Sequence, residues 1–271
     1  MSQSVNVLFV GDIVGTPGMM ITENLLRTFI EKYKIDFVIA NGENAFDGKS
    51  ISEDQIKTLY GLGVDVITSG NHIWERHHIY KILANDPKLL RPANYPQGNS
   101  GRGFGVYDLG GKGKIAVANL QGRTYMFDID CPFKTADWIL SKIEQETKVI
   151  ILDMHAEATA EKMAIAWYLD GKVSAVIGTH THVQTADARI LPLGTSFITD
   201  VGMTGPHESV VGLKKEIALR RFMYATPHKY ETAKDDLHFS AVILSIETET
   251  GKTLSIESLF YPEFPRHGND H

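Results

Sequence analysis

Side chains that bind metals or transfer protons follow five short apolar segments of this chain. The segments are rich in β-branched residues, which is typical of buried strands. Ligands of open α/β sheets collect beyond the carboxyl ends of the strands, so donors at these positions are expected to meet in space. Carboxylate, amide and imidazole groups that meet in this way indicate a shared metal site. The donors are Asp12; Glu43 and Asn44; Asn71 and His72; His155; and His180 and His182.

Each of these residues, taken alone, also has a purely structural explanation. Asp12 has the right chemistry to cap the helix that follows it, and Asn44 or Asn71 to occupy a left-handed turn position beside a glycine. A single buried histidine is more often a hydrogen-bonded core residue than a ligand. Turn chemistry alone rarely places donors at five strand ends, so the joint pattern favours the metal site.

The glycine-rich segment 11–18 resembles, at first sight, a phosphate-binding loop. It contains neither the G-x-G-x-x-G pattern nor the Lys-Ser/Thr ending of a P-loop. Pro17 also removes a backbone amide that such a loop would use. The sequence therefore favours metal chemistry over a nucleotide fold of that type.

Strands and amphipathic helices alternate along the chain, which predicts an α/β fold with partly parallel strands. Ser52 is expected to cap one helix, with Gln55 completing a capping box. We predict helices at 22–33, 52–61, 74–84, 134–146 and 158–168. Two further strands are predicted at 239–247 and 253–258, an irregular loop at 91–113, and a loose tail at 260–271. No repeat or composition shift divides the chain, so we expect one domain over 1–271.

Composition places the chain among ordinary globular proteins. It has 271 residues, of which 43% are hydrophobic, and a formal net charge of 27 − 33 = −6. This acidic balance excludes a basic nucleic-acid scaffold. The single cysteine, Cys131, and the lack of a secretory pattern at the N-terminus predict a cytoplasmic protein. No apolar run approaches the roughly 20 residues of a membrane helix, so no membrane association is expected.

The order of the donor blocks resembles that of the calcineurin-like metallophosphoesterases. The blocks are Gly11-Asp12, Gly42-Glu43-Asn44, Gly70-Asn71-His72, Asp153-Met154-His155 and Gly178-Thr179-His180-Thr181-His182. The Gly-Glu-Asn block and the segment 199–206 are similar to the bacterial YmdB-type branch, and this resemblance covers almost the whole chain. It implies a domain with two facing β-sheets flanked by helices.

The resemblance also implies two divalent ions that share Glu43 as a bridging ligand. The implied ligands are Asp12, Glu43, Asn44 and His182 for one ion, and Glu43, Asn71, His155 and His180 for the other. Val14 stands where the wider superfamily has a histidine, so Asn44 is the candidate for a replacement oxygen ligand. The alternative is that Asn44 binds substrate.

The donor set suits iron or manganese, with zinc or magnesium as further options, better than calcium. Two divalent ions with Asp12 and Glu43 leave a charge of +4 − 2 = +2, which a hydroxide and a phosphodiester would cancel. His72, beside Asn71, is placed to act as the general acid for the leaving oxygen. The alternative is a structural histidine bonded to the backbone.

Two other segments have chemistry of interest. His207, in the loop 205–209, is predicted to contact substrate or, alternatively, to be a solvated loop residue. The segment 125–133 is unusually apolar for a loop. It could line a pocket for a base or pack against another subunit, but burial within the monomer is our prediction.

Taken together, the resemblance implies a metal-dependent phosphodiesterase that acts on small nucleotides, in particular 2′,3′-cyclic nucleotides, through a hydroxide held between two ions. A phosphomonoesterase is the alternative within enzymes. A metal-stabilised regulatory protein that senses a nucleotide or an RNA end is the alternative from another class. The acidic charge makes a short RNA end a better partner than long nucleic acid. A homo-oligomer remains open.

Overall fold

The computed structural model of this chain describes residues 3–264, which form two β-sheets with helices on their outer faces. Within these residues the strands are β1 Ser4–Val10, β2 Asp12–Ile13, β3 Phe37–Asn41, β4 Val66–Thr68, β5 Phe104–Asp108, β6 Lys114–Gln121, β7 Ile150–His155, β8 Ala175–Thr179, β9 Arg189–Ile190, β10 Ser196–Ile198, β11 Met203–Pro206, β12 Leu237–Glu247 and β13 Thr253–Tyr261. The helices are α1 Gly15–Tyr33, α2 Glu53–Leu62, α3 Ile79–Asn85, α4 Pro132–Ile143, α5 Thr159–Tyr168 and α6 Lys215–Tyr224, with 3-10 turns at Asn71–Glu75 and Gly110–Lys112.

The strand orders of the two sheets explain why the donors meet. One sheet runs β2-β11-β12-β1-β3-β4, with β13 also paired to β12, and the other runs β5-β6-β7-β8-β10-β9. β1, β3 and β4 are parallel neighbours, as are β6, β7, β8 and β10. The carboxyl ends of each parallel set therefore lie at one edge of its sheet.

Alternation along β1 shows how the layers are packed. Val7 and Phe9 belong to an apolar layer between the sheets, which Ile151 of β7 enters from the opposite side. Leu8 belongs to a second cluster, together with Leu26 of α1. Successive side chains of a strand point to opposite faces, so one strand serves both layers. A third cluster joins α4 and α5 to the outer face of the second sheet.

The mixed α/β fold with two sheets and flanking helices confirms the main prediction from the sequence. Ser52 accepts a hydrogen bond from the Gln55 amide, and the Gln55 side chain accepts from the Ser52 amide, as expected of a capping box. The predicted C-terminal strand pair is present as β12 and β13. No helix among residues 3–264 is both long enough and apolar enough to cross a bilayer.

Several predicted boundaries were wrong. The helix expected at 74–84 is divided, because a 3-10 turn ends at Glu75 and α3 begins only at Ile79. The loop expected at 91–113 contains β5, which pairs with β6 across a turn. α1 begins seven residues before the expected start at 22, with Pro17 in its first turn, where a missing amide is tolerated.

The predicted tail at 260–271 also requires correction. Phe260 and Tyr261 are part of β13, and the Phe264 ring packs against the His238 and Phe260 rings. The chain is therefore ordered by strand pairing and aromatic packing through 264. Residues 265–271 lie outside the described residues.

Candidate metal centre

The carboxyl edges of the two sheets meet through a buried hydrogen bond. Asn41, at the end of β3, donates through its side chain to a carboxylate oxygen of Asp153 in β7 at 3.0 Å. Thr68, at the end of β4, donates to the same carboxylate oxygen. Asn41, Thr68 and Asp153 are fully buried. The loops that follow these strands consequently open into a common space.

Glu43, His155 and His180 bring their donor atoms together in this space, all within 4.8 Å of one another. His155 Nε2 lies 3.2 Å from Glu43 Oε1 and 3.0 Å from His180 Nδ1. Two nitrogen ligands at right angles on one ion, each about 2.1 Å from it, are also about 3 Å apart. The spacing of the two imidazoles therefore fits a shared ion.

Asn71 extends this cluster, since its side-chain oxygen lies 3.2 Å from His155 Nε2. The preceding Gly70 leaves the room that the donors occupy. A Cβ at this position would come within 2.2 Å of the His155 ring and 2.3 Å of Glu43 Oε2. Only glycine is compatible with donors this close to the backbone.

Asp12 and His182 form a second group of donors. The Asp12 carboxyl is fully buried, and its Oδ2 accepts a hydrogen bond from the His180 amide at 3.2 Å. Its Oδ1 is buried with no hydrogen-bond partner among the described residues and lies 4.0 Å from His182 Nε2. A buried oxygen that lacks a donor and faces an imidazole is the arrangement expected of a metal ligand.

Asn44 contacts three of the candidate site residues. Its Nδ2 lies 3.0 Å from Glu43 Oε1 and 3.1 Å from His182 Nε2, and its Oδ1 lies 2.8 Å from His72 Nδ1. A half turn of the amide exchanges its oxygen and nitrogen and would direct the oxygen to the centre. In both orientations Asn44 links the donor cluster to His72, whose side chain is 29% exposed.

The structural alternatives considered for Asp12, Asn44 and Asn71 do not apply. α1 begins after Val14 without any side-chain cap, so Asp12 does not cap that helix. Neither Asn44 nor Asn71 has a positive φ, so neither occupies a left-handed turn position. The structure brings Asp12, Glu43, Asn44, Asn71, His155, His180 and His182 together, with His72 at their edge.

Each of the three clustered imidazoles has one nitrogen anchored and the other directed to the centre. His182 Nδ1 faces the Val211 carbonyl at 3.0 Å, and His180 Nε2 faces Glu157 at 3.2 Å. His155 Nδ1 donates to the Thr179 hydroxyl at 2.9 Å, because that hydroxyl gives its own hydrogen to Asp153 at 2.7 Å. Anchoring of this kind selects the tautomer that presents a lone pair to a metal.

Burial and charge leave the donors in electrostatic conflict when no cation lies among them. Burial raises the pKa of Asp12 well above its usual range. Burial, with repulsion from His155, lowers the pKa of His180 to about 3. Burial also opposes the charges of His155 and Glu43, but their mutual attraction outweighs it. The pKa of His155 is therefore raised to about 9 and that of Glu43 is held well below its usual range.

These observations fit a bound cation. A divalent ion in the space between the donors would pair the free oxygen of Asp12, take up the lone pairs of the imidazoles and remove the conflict around Glu43. The donors are oxygen and nitrogen, and the one cysteine, Cys131, is half-buried and belongs to the N-terminus of α4. The donor chemistry therefore fits an imidazole and carboxylate metal centre.

A buried ion pair supports the two histidines of the 178–182 loop. Lys162 of α5 donates to Asp200 Oδ2 at 2.7 Å, and both side chains are fully buried. The same oxygen accepts from the Thr181 amide at 2.9 Å and from its hydroxyl at 2.7 Å. His180 and His182 flank Thr181 with φ values of 98° and 65°. Backbone of this kind costs about 1–3 kcal/mol per residue and requires such support.

Sequence reasoning missed this supporting group. Lys162 was assigned only to a predicted helix, and Asp200 only to a segment of family resemblance. A carboxylate placed directly after the short strand β10 was the available signal, because the other strand-end donors share that position. Nothing in the sequence marks Lys162 as buried, because a lysine at this position of a helix is normally expected on the solvent-exposed face.

The structure also shows the surroundings of His207 and of the segment 125–133. The His207 ring packs against the rings of His238, Phe260 and Phe264, and its Nδ1 faces the Gly205 carbonyl. Its contact with substrate stays a prediction. The prediction that the segment 125–133 is buried within the monomer was wrong at its tip, where Tyr125 is 89% exposed.

We expect the uptake of metal to release protons. His155, with a pKa near 9, carries a proton at pH 7 when no ion is bound, and a ligating imidazole must lose it. Addition of Mn²⁺ to metal-free protein at pH 7 should therefore release about one proton per chain from His155. Titration with a pH indicator in weak buffer measures this release.

The raised pKa of His155 also determines how the affinity for Mn²⁺ changes with pH. Below pH 9 the proton on His155 competes with the ion, so the affinity for Mn²⁺ should fall as the pH is lowered from 9 to 7. His155→Ala should release about one proton fewer. Uptake of Mn²⁺ by the intact protein without any release of protons would contradict this account.

Loss of the Asp200 carboxylate is expected to weaken metal binding. The double variant Lys162→Met/Asp200→Leu removes both charges, so neither remains buried without a partner, but it deprives Thr181 of its acceptor. We expect it to fold and to bind Mn²⁺ about 10- to 100-fold more weakly, measured by equilibrium dialysis. Lys162→Met/Asp200→Asn keeps an acceptor oxygen and should bind more tightly than the Leu variant. Equal affinities in the two double variants would rule out this positioning role.

Comparison with known proteins agrees with the geometry. The model of a family described as YmdB-like protein matches residues 8–259. A 2′,3′-cyclic-nucleotide 2′-phosphodiesterase of Bacillus subtilis (strain 168) is 44% identical over 253 residues, which cover 93% of this chain and 96% of that protein.

Two solved structures have closely similar folds. A crystal structure described as a novel phosphatase from Mycoplasma pneumoniae superposes with a TM-score of 0.91 at 35% identity and covers 96% of this chain and 94% of that one. A hypothetical protein from Thermus thermophilus superposes with a TM-score of 0.89 at 39% identity and covers 95% of this chain and 99% of that one. The extent of the family match and of these similarities shows that the chain belongs to the YmdB-like family.

Proposed function

We propose that this protein is a two-metal phosphodiesterase of the calcineurin-like type that hydrolyses 2′,3′-cyclic nucleotides. The observation that carries the proposal is the orientation of His155, His180 and His182, each with one nitrogen anchored and the other directed toward Glu43 or Asp12. The name of the Bacillus subtilis relative supports the choice of substrate.

The donors form two groups of contacts. His155 lies next to both His180 and Asn71, whereas His182 lies next to Asn44 and faces Asp12. Glu43 Oε1 is close to both groups, at 3.2 Å from His155 Nε2 and 3.0 Å from Asn44 Nδ2. This division supports two ions with Glu43 between them, and the donor chemistry supports iron or manganese. Two divalent ions with two carboxylates leave a charge of +2, which favours an anionic substrate such as a phosphodiester.

The ions, when bound, would lower the pKa of a water molecule and offset the charge that develops on the phosphoryl oxygens. The residues of the chain hold the donor groups in fixed positions. Glu43 and Asp12 are held in a buried space, and Thr179 and Asp153 keep the His155 ring in one orientation. No amino-acid nucleophile is required for this reaction.

His72 is the proposed proton donor to the leaving oxygen. Its amide donates to Glu43 Oε2 at 3.1 Å and its Nδ1 lies 2.8 Å from Asn44 Oδ1, so the ring is oriented at the edge of the metal centre. The partial exposure of the ring lets a substrate reach it. A ribose alkoxide is a poor leaving group, and protonation as it departs supplies typically a 10²- to 10⁴-fold acceleration.

Phosphomonoester hydrolysis is the second candidate activity, because the Mycoplasma pneumoniae relative is described as a phosphatase. Both reactions would use the same metal centre. They differ in the substrate, since a monoester carries a second negative charge and has one ester bond to phosphorus in place of two. A cyclic nucleotide and the corresponding monophosphate therefore distinguish them.

Net charge and cysteine content bear on the partners and the location of the protein. The net charge of −6 favours small nucleotides, or short RNA ends, over long nucleic acid. The single half-buried cysteine is consistent with the cytoplasm. We propose no particular oligomeric state.

Replacement of Asp12 tests the reaction class. Asp12→Ala removes a carboxylate of the proposed centre, so we expect it to retain its fold and lose hydrolysis of 2′,3′-cyclic AMP. The matched control, Asp235→Ala, changes an exposed carboxylate and should keep full activity. Circular dichroism, elemental analysis, chromatography of the AMP formed from 2′,3′-cyclic AMP, and phosphate release from 3′-AMP measure these outcomes. Unchanged turnover in Asp12→Ala would show that hydrolysis does not depend on this centre, whereas binding without turnover in the wild type would favour a nucleotide-binding role.

The role of His72 is tested by the quality of the leaving group. His72→Ala should lower kcat for 2′,3′-cyclic AMP by about 100-fold or more. Bis(p-nitrophenyl) phosphate releases a stable phenolate that needs no proton, so its hydrolysis should fall by much less. His77→Ala, an exposed neighbour, serves as the control. Equal losses on both substrates would show that His72 does not act as the general acid.

A further inference from the structure

A cleft of about 340 Å³ lies beside the candidate metal centre. It is lined by Asn71 and His180, which belong to the centre, and by Tyr125, Met126 and Phe127 from the loop before α4. Its volume lies at the lower end of the range of about 300–1,000 Å³ found for small-molecule sites. The cleft therefore connects the proposed position of the phosphate with a group of apolar side chains.

The two aromatic rings of this loop are unusually exposed. Tyr125 is 89% and Phe127 is 72% exposed, and among residues 3–264 neither ring packs against another aromatic ring. An aromatic side chain buries up to about 150–250 Å² when it packs. Two exposed rings therefore lack the favourable free energy that burial of this apolar surface would provide. Such residues point to a ligand that covers them.

The loop is fixed at both ends, so the exposed tip is presented by a stable base. Glu161 accepts hydrogen bonds from the amides of Arg123 and Thr124 at 3.0 and 3.1 Å. At the other end, the Asn94 side chain donates to the Asp130 carbonyl at 3.0 Å and the Asp130 amide donates back to the Asn94 carbonyl.

The backbone of the tip is itself strained. Tyr125 has a φ of 63°, in the left-handed region that an aromatic residue rarely adopts. Strain of this kind is retained where the position of a side chain is important. The anchored base and the strained tip together hold the Tyr125 and Phe127 side chains at the mouth of the cleft.

We infer that Tyr125 and Phe127 form a stacking platform for the nucleobase of the substrate, an inference that rests on the proposed cyclic-nucleotide activity. The phosphate would be held at the metal centre, and the base would then extend into the cleft over the aromatic loop. Stacking on an aromatic face suits every base, so the platform provides affinity for nucleosides in general. Met126 adds an adaptable apolar contact at the same surface.

The base of the substrate accounts for the cleft better than a second copy of the chain. The platform is small and is continuous with Asn71 and His180 of the centre. A larger exposed apolar surface is present on α6, where Phe222, Met223 and Tyr224 are 83%, 70% and 65% exposed. That surface, and not the loop, is where pairing of chains through apolar contacts would be sought.

The experiment compares substrates with and without a base in the metal-loaded, full-length protein. The double variant Tyr125→Ala/Phe127→Ala should raise KM and lower kcat/KM for 2′,3′-cyclic AMP by about tenfold or more. Hydrolysis of glycerol 1,2-cyclic phosphate, which has no base, should be unchanged. Phe222→Ala, an exposed aromatic residue on α6, is the control and should behave as the wild type on both substrates.

Binding provides a second readout that does not depend on turnover. Inorganic phosphate and 3′-AMP are each titrated into wild type and double variant by calorimetry. The Kd of phosphate should be the same in both proteins, whereas the Kd of 3′-AMP should be about tenfold higher in the variant. This pattern separates contact with the base from any disturbance of the metal centre.

Four results would overturn the inference. They are equal losses on the two substrates, an unchanged kcat/KM for cyclic AMP, an unchanged Kd for 3′-AMP, and a change of oligomeric state in the double variant measured by light scattering. The last would assign the loop to an interface between chains. If the wild type itself fails to hydrolyse cyclic AMP, the proposed function fails. If the wild type is active and only the variant result is negative, the platform alone is wrong.

Discussion

The rest of the structure depends on one electrostatic constraint, which is the burial of two carboxylates among three imidazoles. Asp12 and Glu43 are fully buried, and His155, His180 and His182 direct nitrogens toward them. Without a cation this group cannot satisfy all its members, as the raised pKa of Asp12 and the lowered pKa of His180 show. Charges are buried in proteins when they are paired or when they coordinate metals. The fold therefore holds a set of donors whose charges fit a bound cation.

Two parallel sets of strands make this burial possible. Their carboxyl ends meet through Asn41 and Asp153, so each donor lies on a short loop that begins from a buried strand. Many of the other buried hydrogen bonds and ion pairs hold these loops in place. Thr179 orients His155, and Lys162 with Asp200 supports the left-handed backbone on either side of Thr181. A large part of the buried polar network thus positions the centre.

The sequence was sufficient to predict the α/β class, most of the main strands and the donors, because each follows from a local rule. The segment 5–10 is largely apolar with three valines, and Asp12 follows it after one glycine. The division of the helix at 74–84 and the support from Lys162 were not predictable, since both depend on packing between distant segments. The exposed tip at Tyr125 was missed for the opposite reason. Apolar residues were assumed to be buried, whereas function can keep them in solvent.

Asn44 shows how a change in one ligand position affects the rest of the site. Where the wider superfamily to which the blocks are similar has an imidazole, this chain has Val14, whose backbone pairs with Asn44 as an isolated bridge. The amide of Asn44 then contacts Glu43, His182 and His72 at once. An imidazole has only two ring nitrogens and could not serve all three. The amide therefore couples the proposed proton donor to the donor cluster, so that the orientation of His72 depends on the same contacts that hold the proposed metal ligands.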